Sequence, residues 1–192
     1  MIDTTLHFTA NAVNQFVRNK FGLDESKVLI NSIVEQDGSV PKANQNKLVI
    51  SLINVVQETN KRYYNTNRKQ RLHNGDFSDV NPSECYNIDI LLSSNFQDYK
   101  ESLKFLNAGI LFFQTYQMID STSFSDLPEG ISKLEYDIEK ISFFEIHNLW
   151  SAMGAKYVPS VIYRMRLITI DSDQATGFTV PVNTTNTSLT SA

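Results

Sequence analysis

Residues 142–171, SFFEIHNLWSAMGAKYVPSVIYRMRLITID, constrain the fold more than any other stretch of the chain. Ser142 and Glu145 have capping-box spacing: the serine accepts from the backbone N–H three residues on, and the glutamate reaches back to the serine N–H. A short helix should follow, burying Phe144 or Ile146 with Leu149, Trp150 and Met153. It should stop at Gly154, which takes the left-handed conformation that a helix end favours. Pro159 forbids further helix, and a long strand is predicted beyond it. Val161, Tyr163, Met165 and Leu167 share one face of that strand. Ile162, Arg164, Arg166, Ile168 and Ile170 share the other. A strand apolar on one side, and apolar with two arginines on the other, belongs inside a sheet whose second face meets a helix or another protein.

The rest of the chain supplies partners for that strand. Leu6, Ala10, Val13, Phe16, Val17 and Phe21 recur at helical spacing after a candidate N-cap at Asp3, and Gly22 ends that helix. Val28–Ile33 reads as a short strand, and Asp37-Gly38-Ser39-Val40-Pro41 as a turn. Leu48–Val56 is apolar on both faces, which predicts a central strand covered on both sides. In Tyr86–Leu92, Tyr86, Ile88, Ile90 and Leu92 alternate with outward Asn87 and Asp89. A second long helix, capped by Ser94 or Asn95, buries Phe96, Tyr99, Leu103, Leu106, Ile110 and Phe113, with Phe105 and Phe112 widening the stripe, and ends near Gln117. Lys133–Glu139 alternates with Leu134, Tyr136 and Ile138 inside, as an antiparallel strand with one wet face does. The fold class is therefore α+β: a mixed, mainly antiparallel sheet of about four to five strands, packed with two long helices and one short one. With 192 residues the chain has one domain's worth of core, assigned to 1–171, and the Ser/Thr/Asn-rich residues 172–192 form a polar tail.

Two segments break the pattern. Gln57–Glu84 has no periodicity but carries Lys61, Arg62, Tyr63, Tyr64, Arg68, Lys69 and Arg71. So long a connection is usually functional or disordered. Basic residues beside aromatics suit nucleic acid. The chain as a whole has 17 Lys and Arg against 21 Asp and Glu, a net charge of −4, and this favours a protein-contacting loop instead. The tail keeps only Phe178, Val180, Val182 and Leu189 as apolar anchors. Its residues 177–182 are the piece most able to add a strand to a neighbour's sheet.

Catalytic and metal constellations are sparse. His7, His73 and His147 are scattered, and the single Cys85 can form neither an internal disulfide nor a thiolate metal site. A Cys85 nucleophile with His147 as base is the one nucleophilic pairing open, although lone cysteines are more often small buried hydrophobes. Glu135 and Asp137 share a strand face, which permits acid–base work but more simply serves solubility. Arg164 and Arg166 suit either an anion or a salt bridge to a neighbouring subunit. No glycine-rich phosphate loop, secretion signal or membrane-length apolar run is present, so no cofactor, nucleic-acid or membrane partner is expected.

Several runs carry a more specific signal. NKLVISLINVVQE, NIDILLSSNFQDYKESLKFLNAGILFFQ and, above all, LPEGISKLEYDIEKISFFEIHNLWSAMGAKYVPSVIYRMRLITID resemble the N-terminal domain of the tail-cap proteins of extracellular contractile injection systems. These are the phage-tail-like particles typified by the virulence cassettes and antifeeding prophages. MIDTTLHFTANAVNQFV and the turn DGSVP are similar to that family too, so the resemblance runs in order from residue 1 to about 171. It implies a non-enzymatic tail terminator, a homo-hexameric ring that ends the inner tube and last sheath ring and holds them together during contraction. It further implies synthesis in a bacterial cytoplasm and incorporation into a particle that is either released or docked on a membrane. Such a role needs a rigid sheet and arms that reach neighbours. The candidate contact residues are Arg62, Tyr63, Tyr64, Arg68 and Arg71 of the loop, Arg164 and Arg166 of the long strand, and Phe178 and Val180 of the tail, because Tyr and Arg are enriched at interfaces. The competing readings are a small hydrolase or transferase using Cys85, and a monomeric binding module.

Overall fold

The structure is a computed structural model that describes residues 1–58, 68–71, 77–80, 84–129, 131, 133–170 and 175–179. It divides into two compact units, Met1–Glu58 with Cys85–Thr169, and Thr59–Glu84 with Ile170–Ala192. The first holds six strands in the order β1-β2-β5-β8-β7-β6: β1 (Val28–Ile30), β2 (Lys47–Gln57), β5 (Glu84–Asn95), β6 (Met118–Asp120), β7 (Lys133–Ile138) and β8 (Ser160–Ile170). The second holds three, in the order β3 (Arg68–Arg71), β4 (Phe77–Val80) and β9 (Ala175–Thr179), paired antiparallel. β1 lies parallel to β2, whereas the β2–β5, β6–β7 and β7–β8 ladders are antiparallel. The class is the expected α+β with a mixed sheet.

The main sheet has more strands than the four to five expected, because β6 is only three residues long. The second sheet falls in the two segments without periodicity, where a strand such as Arg-Lys-Gln-Arg offers no alternation to read.

The main core lies between one sheet face and two helices, α1 (Ile2–Phe21) and α2 (Tyr99–Thr115). Val13, Val17, Leu48, Ile50, Ile88, Ile90, Leu92, Phe112, Phe113, Leu134 and Met165 are almost wholly removed from water there. Phe113 joins its two halves, stacking on Tyr163 at 4.2 Å and tilting against Tyr136 at 5.0 Å. Tyr136 is buried with its hydroxyl 2.9 Å from the Thr9 hydroxyl, so α1 is tied to β7 by a satisfied polar contact. Burial holds the Tyr136 phenol far above its ordinary value, and pushes that of Tyr163 to about 12. A smaller cluster on the opposite sheet face joins Ile33, Leu91 and Ile162 to Trp150 of α3 (Phe143–Ala152).

Several local expectations are corrected. The cap of α1 is Met1, with Asp3 inside the first turn, where its charge still complements the helix dipole. The cap of α2 is Asp98, whose carboxylate accepts from the Lys100 N–H at 3.0 Å. Its buried stripe is rotated from the predicted one: Ser102, Phe105, Ala108, Gly109, Phe112 and Phe113 face the sheet, and Tyr99 and Leu103 lie outside. The small residues decide this, since a Cβ at Gly109 would stand 2.6 Å from Leu92 Cδ2, closer than any carbon allows. β1 stops at Ile30, short of Ile33. β2 is covered only through Ser51. After an irregularity between Leu52 and Asn54 its far half is exposed, with Leu52, Val55 and Val56 in water. Ile138, expected inside, is also exposed.

Candidate assembly surfaces

Arg164 and Arg166 lie on the α3-side face of β8, as their alternation with Tyr163 and Met165 requires. The Arg164 Nε donates to Asp89 Oδ1 at 2.7 Å, and a second nitrogen of the same guanidinium reaches Asp89 Oδ2 at 3.2 Å. Glu139 Oε1 stands 2.9 Å from the same Nε. The Asp89 bonds, and secondarily the charges of Asp89 and Glu139, raise the Arg164 pKa. Arg166 Nε donates to Asp137 Oδ2 at 2.5 Å. Both arginines are therefore engaged within their own chain. They hold β5, β8 and β7 together across the polar part of the sheet face.

Asn87 and Asp89, predicted to face water, are 6% exposed. Asp89 is buried because it takes three donors, two from Arg164 and one from Asn54 Nδ2. Asn87 donates to Glu58 Oε2 at 2.9 Å, but its own carbonyl oxygen has no hydrogen-bond partner among the described residues. Sequence reasoning missed this layer because strict alternation on β5 looks the same whether the second face is wet or sealed by arginine.

Arg68 and Arg71 are the first and last residues of β3, paired through the backbone with Val80 and Phe77. Phe178 pairs with Ser78 in β9 of the same unit. The strand expected to add to a neighbour is thus partly engaged with its own chain over Ala175–Thr179. Arg62, Tyr63, Tyr64 and Val180 lie outside the described residues.

Of the alternative chemistry, Cys85 is the second residue of β5 and His147 is exposed on α3. Glu135 and Asp137 do not act as a free carboxylate pair: Glu135 takes Lys133 at 2.7 Å, and Asp137 takes Arg166. Among the described residues no group of three or more His, Cys, Asp or Glu side chains gathers to hold a metal, and no helix is long and apolar enough to cross a membrane.

α3 places apolar surface where the sequence did not foresee it. The capping box forms as expected, with the Ser142 N–H donating to Glu145 Oε2 at 2.7 Å and the Glu145 N–H donating to Ser142 Oγ at 3.3 Å. The Ser142 bonds, backbone first, hold the Glu145 carboxyl below the usual value. Trp150 is then buried, with Ile146, Leu149 and Met153 half-buried around it. Phe143 and Phe144, however, are 92% and 72% exposed. Two successive aromatics in the first turn of a helix point some 100° apart, and here neither reaches the sheet.

A cleft of about 320 Å³ lies on the other sheet face, between α1 and the loop after β6, with Phe8, Ala12, Phe124 and Pro128 among its lining residues. Phe8 and Phe124 meet edge to face at 5.8 Å in it. The loop is held by Asp120, whose carboxylate accepts from the Thr122 and Ser123 hydroxyls and N–H groups. The hydroxyl bonds lead in lowering its pKa to about 2.

Comparison with known protein families gives a match between residues 9–184 and the model of the Pvc16 N-terminal domain. The chain belongs to that family. Among solved structures, this Pvc16 N-terminal domain is similar to the PVC sheath/tube terminator of an extracellular contractile injection system, seen by cryo-EM in its extended state. The TM-score is 0.63 at 11% identity, over 95% of this chain and 62% of that one. It is also similar to the tube terminating cap of the anti-feeding prophage, with a TM-score of 0.60 at 13% identity, over 93% of this chain and 59% of that one. At such identities the likeness is one of fold. The Pvc16 N-terminal domain spans about three-fifths of the length of those two chains. No curated protein matches it.

Proposed function

We propose that this chain is a structural tail terminator of a contractile phage-tail-like particle. Copies form a ring, taken to be hexameric, on the last rings of inner tube and sheath. The ring stops polymerisation and keeps tube and sheath joined during contraction. The reading is carried by membership of the Pvc16 N-terminal family over most of the chain, together with a fold shared with a sheath/tube terminator and a tube terminating cap. The role is non-enzymatic, and the pairing of the candidate carboxylates with lysine and arginine agrees with that. The partners are further copies of this chain and the sheath and tube proteins, with neither nucleic acid nor membrane required. Synthesis is cytoplasmic, and the finished particle is either released or docked.

In this reading the unit made of Met1–Glu58 and Cys85–Thr169 supplies a rigid body. The loop bearing Arg62, Tyr63, Tyr64, Arg68 and Arg71, and the tail bearing Phe178 and Val180, supply the contacts to neighbours. Arg164 and Arg166 act from within, by keeping the sheet rigid. Electron microscopy of particles made without this chain tests the proposal. Over-long, frayed or missing tubes and sheaths are expected, and particles of normal length with intact ends would refute it. Cys85→Ala should leave assembly unchanged, whereas a chain working through that thiol would lose its function.

A further inference from the structure

Phe143 and Phe144 are the most exposed large apolar side chains among the described residues, and Ile138 at the end of β7 is 55% exposed. His147, four residues after Phe143 and three after Phe144, shares their helix face, and Lys140 is exposed just before the capping box. The one carboxylate in that first turn, Glu145, is turned back onto Ser142. What projects is an aromatic knob fringed by a cation. The cleft on α1 has the opposite character. Its floor is Phe8, Ala12, Phe124 and Pro128, Asp126 lines it, and His7 of its wall is paired with Asp3 at 3.3 Å. Among the described residues no lysine or arginine lines it. Its volume of about 320 Å³ is at the lower end of what accepts a small apolar group.

Knob and cleft sit at opposite ends of β7 and on opposite faces of the sheet. The knob follows its last residues, and the loop that walls the cleft precedes its first. At about 3.3 Å per residue the strand separates them by roughly 20 Å, so a molecule cannot fill its own cleft. A contact of knob into cleft is therefore heterologous, the kind that closes a ring when the rotation permits.

We infer that the cleft lined by Phe8, Phe124, Pro128 and Asp126 receives the Phe143–Phe144 knob of a second copy of this chain, with Lys140 of the incoming copy against Asp126. This rests on the reading that copies assemble with one another. It specifies the two surfaces that meet. A second copy is the favoured occupant because it covers both apolar features at once and matches the sign of charge on each.

Sedimentation of the full chain over a wide concentration range tests it, with wild type beside two surface variants. Phe143→Ser/Phe144→Ser removes the knob, and Asn11→Trp plugs the cleft from an exposed position of α1. Both should keep the wild-type circular dichroism. Each should weaken self-association by at least about tenfold, the effect of losing an interface anchor. Mixed together, they should form a pair and nothing larger, since one supplies only the cleft and the other only the knob. Lys140→Glu should weaken association, and combining it with Asp126→Lys should restore it. If wild type associates and both variants associate equally well, or the mixture stays monomeric, this contact is wrong while self-assembly stands. If wild type is monomeric throughout, the contact and self-assembly fall together.

Discussion

Asp89 and Arg164 show at the scale of one residue what holds the polar half of the sheet. The side chain of Asp89 is 8% exposed and that of Arg164 is 30% exposed. Removing the guanidinium thus strands a buried carboxylate, whereas removing both charges releases only Glu139 and Asn54, which reach water. Arg164→Met is expected to cost about 3 kcal/mol, and Asp89→Leu added to it should recover much of that loss. Urea denaturation of the single and double variants checks this. A double variant as unstable as the sum of the two singles would mean that the residues do not act as a pair. Glu145 makes a pH-dependent contribution. Its pKa is lowered in the folded chain from an ordinary 4.5, so its stabilisation is complete above that value and disappears as pH falls through the lower folded one. Corrected for the intrinsic exchange rate, amide protection at Glu145 and its helix neighbours should therefore fall as the pH drops below 4.5 in wild type, whereas Glu145→Ala should already be less protected at about pH 6. Protection in Glu145→Ala equal to wild type at about pH 6 would show that the capping box contributes nothing.

At the scale of elements, the close approach of α2 to β5 is set by a residue without a side chain. Gly109→Ala gains about 0.5–1 kcal/mol of helix propensity but forces Cβ to 2.6 Å from a buried Leu92 methyl. Overpacking costs about 1–3 kcal/mol and wins, so the variant should be less stable and Leu92→Ala should not make it worse than additive. Gly154→Ala has open space around it but sits at φ +64°, and should cost about 1 kcal/mol through backbone strain alone. Thermal melts distinguish the two, because only Gly109→Ala responds to a change at Leu92. These elements also show what could be read from the chain in advance. The capping box, Gly154, Pro159 and the long strand are local signals, and they were legible. The rotation of α2 was not, because Phe96, Tyr99, Leu103, Leu106, Ile110 and Phe113 make as good a helical stripe as the one actually buried. Only the need for small residues against the sheet separates them. β3, β4 and β9 are too short and too polar to announce themselves. The exposed pair Phe143 and Phe144 was hidden by the usual assumption that an aromatic in a short helix faces the core.

For the whole molecule, the account places function in shape. A rigid six-stranded unit, braced on one face by aromatic packing and on the other by arginine–carboxylate bonds, carries surfaces to be covered by neighbours. The far half of β2 is a candidate for such cover: Leu52–Gln57 carries no charge or proline, and Leu52, Val55 and Val56 are in water. Leu52→Lys/Val55→Lys should leave the stability of the isolated chain within about 0.5 kcal/mol, because neither side chain is buried. A large loss of stability on urea denaturation would mean that this strand is covered by its own chain. The most direct measurement is cryo-EM of the intact particle at the end away from the baseplate. The account predicts a closed ring of copies of this chain, in contact with the last ring of inner tube and the last ring of sheath. A particle end closed by a different protein, with this chain absent from it or present as single unassociated copies, would contradict it.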